Sequence, residues 1–252
     1  MKPDHPTLEE QAQLLQLWKQ VFGDHGGFWE MFLDTGFDPD HCRCVTEGTQ
    51  VTAALYWFDG FRGGQKIAYL YAVVTHPEHR GKGLCRGLME DTHAFLADHG
   101  YASAILVPEK EELRDLYRKL GYRDCTCVSE FSCAAGDTPV SMRAIGLTEY
   151  AALRRRYLPE NGVIQEGNNL DFLAAQVQFY TGEDWLMAAY AEEETLYAPE
   201  LLGNADAAPG IVSALNCIIG KFRTPGAGRN FAMFRPLRAD AVAPSYFGFA
   251  FD

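Results

Sequence analysis

From Tyr69 to Met89 the chain reads YLYAVVTHPEHRGKGLCRGLM, and this run limits what the rest can fold into more than any other. Gln65–Thr75 is rich in β-branched and aromatic residues, as a strand is, and Pro77 closes it. A short loop with Gly81 and Gly83 follows, and an apolar stripe at helical spacing begins at Leu84. A strand that passes through a short loop straight into a helix aims several backbone N–H groups at one point, with the positive end of the helix dipole behind them. The glycines permit positive φ and a close approach of ligand to backbone. Arg80, Lys82 and Arg86 add three cations within seven residues. Such a loop suits a pyrophosphate. It is neither the Gly-x-x-x-x-Gly-Lys-Ser/Thr phosphate loop nor the Gly-x-Gly-x-x-Gly dinucleotide fingerprint, because Gly81, Gly83 and Gly87 have the wrong spacing.

The flanking sequence predicts an α/β chain. Residues 7–22 read as a helix with Leu14, Leu17, Trp18 and Val21 on one stripe, capped by Thr7 with Glu10 as its capping-box partner. A second helical piece follows near Phe28–Phe32. Strands are expected at Arg43–Glu47, Gln50–Phe58 and Gln65–Thr75, a helix at Leu84–Asp98, a strand at Ala102–Val107, a helix at Glu109–Leu120 and an alternating strand at Arg123–Cys133. The composition shift at Ala134–Thr138 predicts a boundary, giving a first domain of residues 1–135 and a second, smaller α/β domain of 136–252. In the second, helices are expected at 147–157, 169–180 and Pro209–Ile219. Strands are expected at Trp185–Ala191, Glu194–Leu202, Arg229–Pro236 and Ser245–Phe251.

Composition narrows the partners. No apolar run is long enough to span a bilayer, and the N-terminus carries no apolar signal region, so the expectation is a cytoplasmic protein with no membrane partner. A formal net charge of −12 disfavours nucleic acid and anionic lipid. It favours cationic small molecules by steering, against a plain reading as solubility. Seven cysteines without framework spacing fit free thiols in a reducing compartment. Cys42/Cys44 and Cys125/Cys127 are spaced Cys-x-Cys, which suits thiols on one face of a strand better than a zinc site, and no metal is expected.

With Arg80, Gly83 and Cys85 in place, the loop resembles the Arg/Gln-x-x-Gly-x-Gly/Ala motif of the GNAT superfamily of acyl-CoA N-acyltransferases, with Cys85 where Gly or Ala is usual. LRDLYRKLGY (Leu113–Tyr122) resembles that family's LYxKxGF signature. The resemblance implies a mixed, mainly antiparallel sheet flanked by helices and acetyl-CoA as co-substrate. It also implies a bulged strand that splays from its neighbour, with the pantetheine arm in the gap. By position it implies backbone contacts at Val73, Val74 and Thr75, a pyrophosphate held by Arg80, Gly81, Lys82, Gly83, Leu84 and Cys85, and Tyr117 as the acid that protonates the leaving thiolate. Lys110 stands about where the family often has Asn. The implied activity is N-acetylation of a primary amine on a small molecule or peptide, in a chain that could pair as a homodimer. The alternative is a non-catalytic acyl-CoA binder or sensor.

No general base is evident in the sequence. His76 and His79 lie at the phosphate end, and Glu109, Glu111 and Glu112 read as charges at a helix N-terminus. A water chain or the carboxylate of Asp252 are the remaining expectations. In the second half, Thr195–Leu202, the loop NADAAPG, a helix from Pro209 and a strand echo the first half's strand–loop–helix–strand, as in a degenerate second GNAT-like copy. That loop lacks cations and should hold no pyrophosphate. Phe222–Leu237 reads as a packed surface turn rather than an acceptor loop, and the C-terminal aromatics read as core.

Overall fold

The computed structural model describes residues 2–23 and 26–250. Helix α1 (Leu8–Phe22) begins as its cap predicts: the Thr7 hydroxyl accepts from the Glu10 amide, and Glu10 Oε2 accepts from the Thr7 amide at 2.8 Å. Helix α2 is Phe28–Thr35. Strands β1 (Cys42–Glu47), β2 (Gln50–Arg62) and β3 (Gln65–Thr75) pair antiparallel in sequence. Helix α3 (Leu84–Asp98) then crosses to β4 (Ser103–Leu106), which lies parallel to β3. Helix α4 (Glu111–Lys119), β5 (Arg123–Asp124) and β6 (Cys127–Ala134) follow.

The second half contains β7 (Arg143–Ile145), α5 (Leu147–Tyr157), β8 (Ile164–Gln165), α6 (Asn168–Ala174) and β9 (Gln178–Thr181). Then come β10 (Trp185–Glu192), β11 (Thr195–Gly203), α7 (Ala208–Ala214), β12 (Ile219–Pro225), β13 (Arg229–Asn230) and β14 (Met233–Pro236). The first sheet has the order β1-β2-β3-β4-β14-β5, with β8 also on β2; the second is β13-β6-β12-β11-β10-β9-β7. The fold is the expected mixed, mostly antiparallel α/β arrangement.

The two sheets exchange strands. β14, from the end of the chain, fits between β4 and β5 of the first sheet, while β6 pairs with β12 in the second. The composition shift at Ala134–Thr138 therefore falls between β6 and β7, two strands of one sheet. Trp18, Phe32, Tyr56, Tyr69, Phe172, Tyr150 and Phe247 belong to one apolar cluster, so a continuous core links the halves.

Five expected elements differ, one of them the strand Arg229–Pro236, which splits into β13 on the second sheet and β14 in the first. The strand 123–133 breaks at Cys125–Thr126, where the Cys125 amide donates to Ala232 O (3.1 Å) and the Ala232 amide donates to Thr126 Oγ1 (3.2 Å); its two pieces serve different sheets. The helix expected over 169–180 ends at Ala174, because Gln178–Thr181 pairs with β10. That expected at Pro209–Ile219 ends at Ala214, and Ile219 opens β12. Residues 245–250 form no strand, and Phe251 lies outside the described residues. Their backbone is satisfied mainly by side chains instead: Gln165 Nε2 donates to Phe249 O (2.7 Å) and Arg223 Nη1 to Ala250 O (2.9 Å), while the Val163 amide donates to Tyr246 O (2.9 Å).

Candidate active site

The site grows from a fault in strand pairing. Ala54 faces Val74 and Tyr56 faces Tyr71, so Leu55 alone spans Ala72 and Val73. This is a β-bulge, and Ala72 carries it in the left-handed region at φ 48°. A non-glycine residue held there is strained, of the kind that recurs at functional sites. The extra residue turns the side chains of Tyr71 and Ala72 toward the α1/α2 cluster and Val73 toward the α3/α4 cluster. Parallel pairing with β4 stops at Tyr69–Ile105, two residues before the bulge. Beyond it, β3 and β4 part, and the edge of Val73, Val74 and Thr75 that faces β4 is left without a strand partner. The Thr75 carbonyl instead accepts from Arg80 Nε at 3.3 Å.

The loop after β3 opens onto the same gap. His76 caps a short 3-10 turn over Pro77–His79, its Nδ1 accepting from the Glu78 amide at 3.3 Å. Gly81 and Gly83 have φ of 76° and 81°, and a Cβ on either would meet nothing within 4 Å. The backbone conformation, not crowding, selects glycine there. Among the described residues, the Arg80 amide donates to Pro77 O at 3.3 Å, but the amides of Gly81, Lys82, Gly83, Leu84, Cys85 and Arg86 have no acceptor until the Gly87 amide reaches Gly83 O. These are the orphan donors of a helix start with no capping side chain. Nor do Arg80, Lys82 or Arg86 pair with any carboxylate among the described residues. His79 pairs with Glu47 of β1 at 3.0 Å and touches Lys82 at 3.5 Å, so both loop histidines already have partners in the protein. A groove of about 530 Å³ lies beside the loop, between Lys82–Leu84 and the Lys2–Pro3 arm.

Tyr117 stands on α4, in the same apolar cluster as Val73, Leu84 and Cys85. It is 8% exposed, yet its hydroxyl has no hydrogen-bond partner among the described residues. Burial pushes its ionisation well above the usual phenol range, and Cys85 and Glu109 push the same way. Burial likewise raises the Cys85 thiol. The phenol is thus a firmly protonated donor with no acceptor among the described residues. The structure gathers Val73, Leu84, Cys85 and Tyr117 in one cluster and leaves Arg80–Gly83 exposed above it. The side chain of Val74 points to the opposite face. Lys110 caps α4 without a side-chain bond and pairs with Glu109 at 3.4 Å. Asp252 lies outside the described residues.

On the other face, Tyr71 is surrounded by rings: Trp18 (6.1 Å between centroids), Phe32 (6.0 Å), Phe58 (5.6 Å), Tyr69 (6.0 Å) and Phe172 (5.5 Å). Phe247 of the C-terminal segment closes on Tyr69 at 4.8 Å. Sequence reading put Trp18 on an apolar helix stripe and Phe247 in the core, but did not bring these rings together at the bulge. Phe172 and Phe247 arrive from the far half, Phe172 on α6 just after β8 joins β2, and no local pattern announces either. A larger cavity, about 830 Å³, lies in the second half between α5, β9 and the Asn204–Ala207 turn, away from these residues.

Residues 3–125 match the family described as Acetyltransferase (GNAT) domain, and the chain carries a domain of that family. Its fold is similar to solved structures across nearly its whole length. A GCN5-related N-acetyltransferase from Anabaena variabilis shares 16% identity at a TM-score of 0.75, over 94% of this chain and 73% of that one. One from Kribbella flavida shares 18% identity at 0.71, over 93% and 70%. A probable N-acyltransferase from Enterococcus faecalis shares 17% at 0.71, over 94% and 72%. No curated protein matches the sequence. The first half thus carries a GNAT acetyltransferase domain, and the whole chain shares the fold of those structures. No helix among the described residues is long and apolar enough to cross a membrane.

Proposed function

We propose that this protein moves an acetyl group from acetyl-CoA to a primary amine of a small molecule or peptide. The observation that carries the reading is the loop Gly81–Arg86: unpaired amides and unpaired cations at the mouth of the gap between β3 and β4. Val73, Val74 and Thr75 would align the pantetheine arm by added-strand pairing. Arg80, Gly81, Lys82, Gly83, Leu84 and Cys85 would hold the pyrophosphate. Seven free cysteines fit the reducing cytoplasm, where acyl-CoA is made and used.

In the reaction, the lone pair of the amine nitrogen attacks the thioester carbonyl and forms the C–N bond. A main-chain N–H at the bulge is our candidate donor to the oxyanion. Collapse breaks the C–S bond. The sulfur leaves with the proton of the Tyr117 hydroxyl, the nitrogen gives up its extra proton to water, and the phenol is reprotonated from solvent. A rigid donor of this kind contributes about 10²–10⁴ in rate. We assign the acyl-transfer chemistry to the first sheet, built by β1–β5 with β8 and β14, and read 136–252 as a degenerate copy.

The test is thiol release from acetyl-CoA with a panel of amines, followed by Tyr117→Phe. The substitution should lower kcat by at least about 10² with acetyl-CoA affinity kept, since only the proton is removed. Thiol release unchanged by Tyr117→Phe would remove Tyr117 from the mechanism. Acetyl-CoA binding without turnover of any amine would favour a sensor.

A further inference from the structure

We propose that the cavity of about 830 Å³ in the second half binds a small zwitterion of amino-acid or short-peptide kind, its ammonium on an acidic rim and its carboxylate on Arg156 and the indole N–H of Trp185. This goes beyond the transferase reading and does not depend on it. A space of that size is ordinary for a small-molecule site. Its walls are α5, β7 with the segment leading into it, the β9–β10 turn and the Asn204–Ala207 turn. Trp185 supplies an unused donor. It is 2% exposed, yet its indole N–H has no acceptor among the described residues and is not sealed in. A buried indole normally finds a partner, as Trp57 does in the Tyr101 hydroxyl at 3.0 Å. Gly182 keeps the Trp185 N–H free. A Cβ there would stand 2.4 Å from Trp185 Nε1, and Gly182 is not in the left-handed region, so space in front of the N–H selects glycine rather than backbone conformation. Both residues line the cavity.

The charges around this space are separated and unpaired. Glu183, Asp184 and Asp206 come from the β9–β10 turn and the turn after β11. Asn204 ties the two turns together: its amide donates to Asp184 O at 3.0 Å and its Nδ2 to Asp184 Oδ2 at 2.9 Å. Among the described residues no cation pairs with any of the three carboxylates. On α5, Arg156 lines the cavity without a carboxylate partner, and the hydroxyl of the neighbouring Tyr157 is unbonded. Arg143, the other cation in the lining, is held by Glu149 at 3.0 Å. Opposite charges that the fold keeps apart around one space suit a ligand with complementary ends. A polyamine would use the carboxylates but meet Arg156. Phosphate would use Arg156 and Trp185 but meet three carboxylates. A zwitterion satisfies both sides, and the fork of a guanidinium matches a carboxylate with two parallel N–H bonds. A free amino acid and a short peptide share this chemistry.

The experiment is calorimetry on the full chain, with trialanine, its N-acetyl form, its C-terminal amide and free alanine as probes. We expect one trialanine per chain, and capping either end should weaken binding by at least about tenfold, as loss of a hydrogen bond between charged groups does. Tighter binding of trialanine than of alanine identifies a peptide as the source, and the reverse a free amino acid; both support the proposal. Arg156→Gln, at an exposed position, should weaken trialanine by about tenfold and leave its amide unchanged. Asp206→Asn should weaken trialanine and leave the N-acetyl form unchanged. Thermal melting confirms that both variants fold. On binding, the Trp185 indole N–H should shift in an NMR spectrum, assigned by its loss in Trp185→Phe. No binding of any probe at millimolar concentration, equal binding of capped and uncapped peptides, a loss in Arg156→Gln that is the same for the amide, or an unmoved Trp185 indole signal would each overturn the proposal. None of these outcomes bears on acetyl-CoA binding, which is titrated separately.

Discussion

The two halves of the molecule build one device twice and leave it open only once. In the first, β2 and β3 form an antiparallel hairpin with a bulge, then a 3-10 turn, α3 and the parallel strand β4. In the second, β10 and β11 do the same: Ala188 faces Glu200, Tyr190 faces Tyr197, and Ala189 alone spans Ala198 and Pro199. A 3-10 turn, α7 and the parallel strand β12 follow. By register, Tyr197 stands where Tyr71 does, Pro199 where Val73 does and Glu200 where Val74 does. The first sheet's parallel pairing ends before its bulge, but the second's continues through Ala198–Phe222. Pro199 has no N–H to offer a ligand. The Asn204–Ala207 turn carries Asp206 and no cation. The place of Val74 is taken by a buried ion pair, in which Glu200 accepts from Arg154 at 2.7 and 2.9 Å, Tyr150 at 2.6 Å and Tyr246 at 3.1 Å. A bulge alone does not make a cofactor site. The gap also needs strands that stop pairing early and a loop that keeps its amides and cations free.

The largest effect should come from separating the halves. A chain of residues 1–135 lacks β14, so β4 and β5 lose the strand between them, and β6 loses its partner β12. Each would expose an unpaired edge and the apolar face beneath it. We expect no cooperative thermal transition and no acetyl-CoA binding by this fragment. A folded, binding fragment would break the view that the closed copy is needed to complete the open one.

Next is Glu200→Ala. It strands the buried Arg154 guanidinium, whose remaining partners are Val163 O at 3.1 Å and Gln165 Oε1 at 2.9 Å. Removing one partner of a buried pair costs about 3–5 kcal/mol. Val74→Ala, at the matching place in the first sheet, removes only methyl groups and should cost about 1–2 kcal/mol. Urea denaturation of the two variants compares them directly. Equal losses would mean that Glu200 is not the plug its geometry describes. The double change Glu200→Leu with Arg154→Met should recover most of the stability.

The open half was far more legible in sequence than the closed one, for a physical reason. Gly81, Gly83, Arg80 and Lys82 form a contiguous segment whose residue types are dictated by backbone φ and by charge, and α3 follows with its apolar stripe in register. Tyr117 likewise lies within ten residues of recognisable signature. The exchange of β6 and β14, the plug at Glu200 and the rings of Phe172 and Phe247 are set by contacts between residues far apart in the chain, where local periodicity carries no information. Gln178–Thr181 shows the same limit at short range: its apolar residues fit a helical stripe, and pairing with β10 decides otherwise.

The loops give a contrast of affinity. Arg80→Ala with Lys82→Ala removes two unpaired cations and should weaken acetyl-CoA binding by about tenfold or more at low salt, with less effect at high salt. Asp206→Lys, which adds a cation to the second turn, should create no second acetyl-CoA site, because Pro199 and the continued β11–β12 pairing remain. Calorimetric stoichiometry settles it: two acetyl-CoA molecules per chain in Asp206→Lys would show that charge alone separates the copies.

The smallest effect compares one carboxylate from each sheet as the pH falls. Asp59 on β2 accepts from Tyr101 at 2.5 Å and pairs with Lys66 at 2.8 Å and His41 at 3.4 Å. Burial alone would raise its pKa, but bonds from His41, Lys66 and Tyr101 outweigh that and hold it at about 2. On β6, the Arg229 guanidinium holds Glu130 at about 2 against partial burial, with help from Arg223. Both are depressed below their unfolded values, so each contributes stability that is complete above about pH 4–5 and is lost as the pH falls toward 2. The carboxylate of Asp59 is 30% exposed and that of Glu130 41%, so solvent screens Glu130 more. Asp59→Asn should therefore flatten the acid limb of the stability curve between about pH 4 and 2 by about 1–2 kcal/mol, and Glu130→Gln by less. Because Asp59 sits on the strand that carries Leu55 and the bulge, acid should loosen the open half before the closed one. Acid titration of hydrogen exchange would sharpen the comparison by showing β2 amides losing protection above the pH at which those of β12 do, and the reverse order would break it.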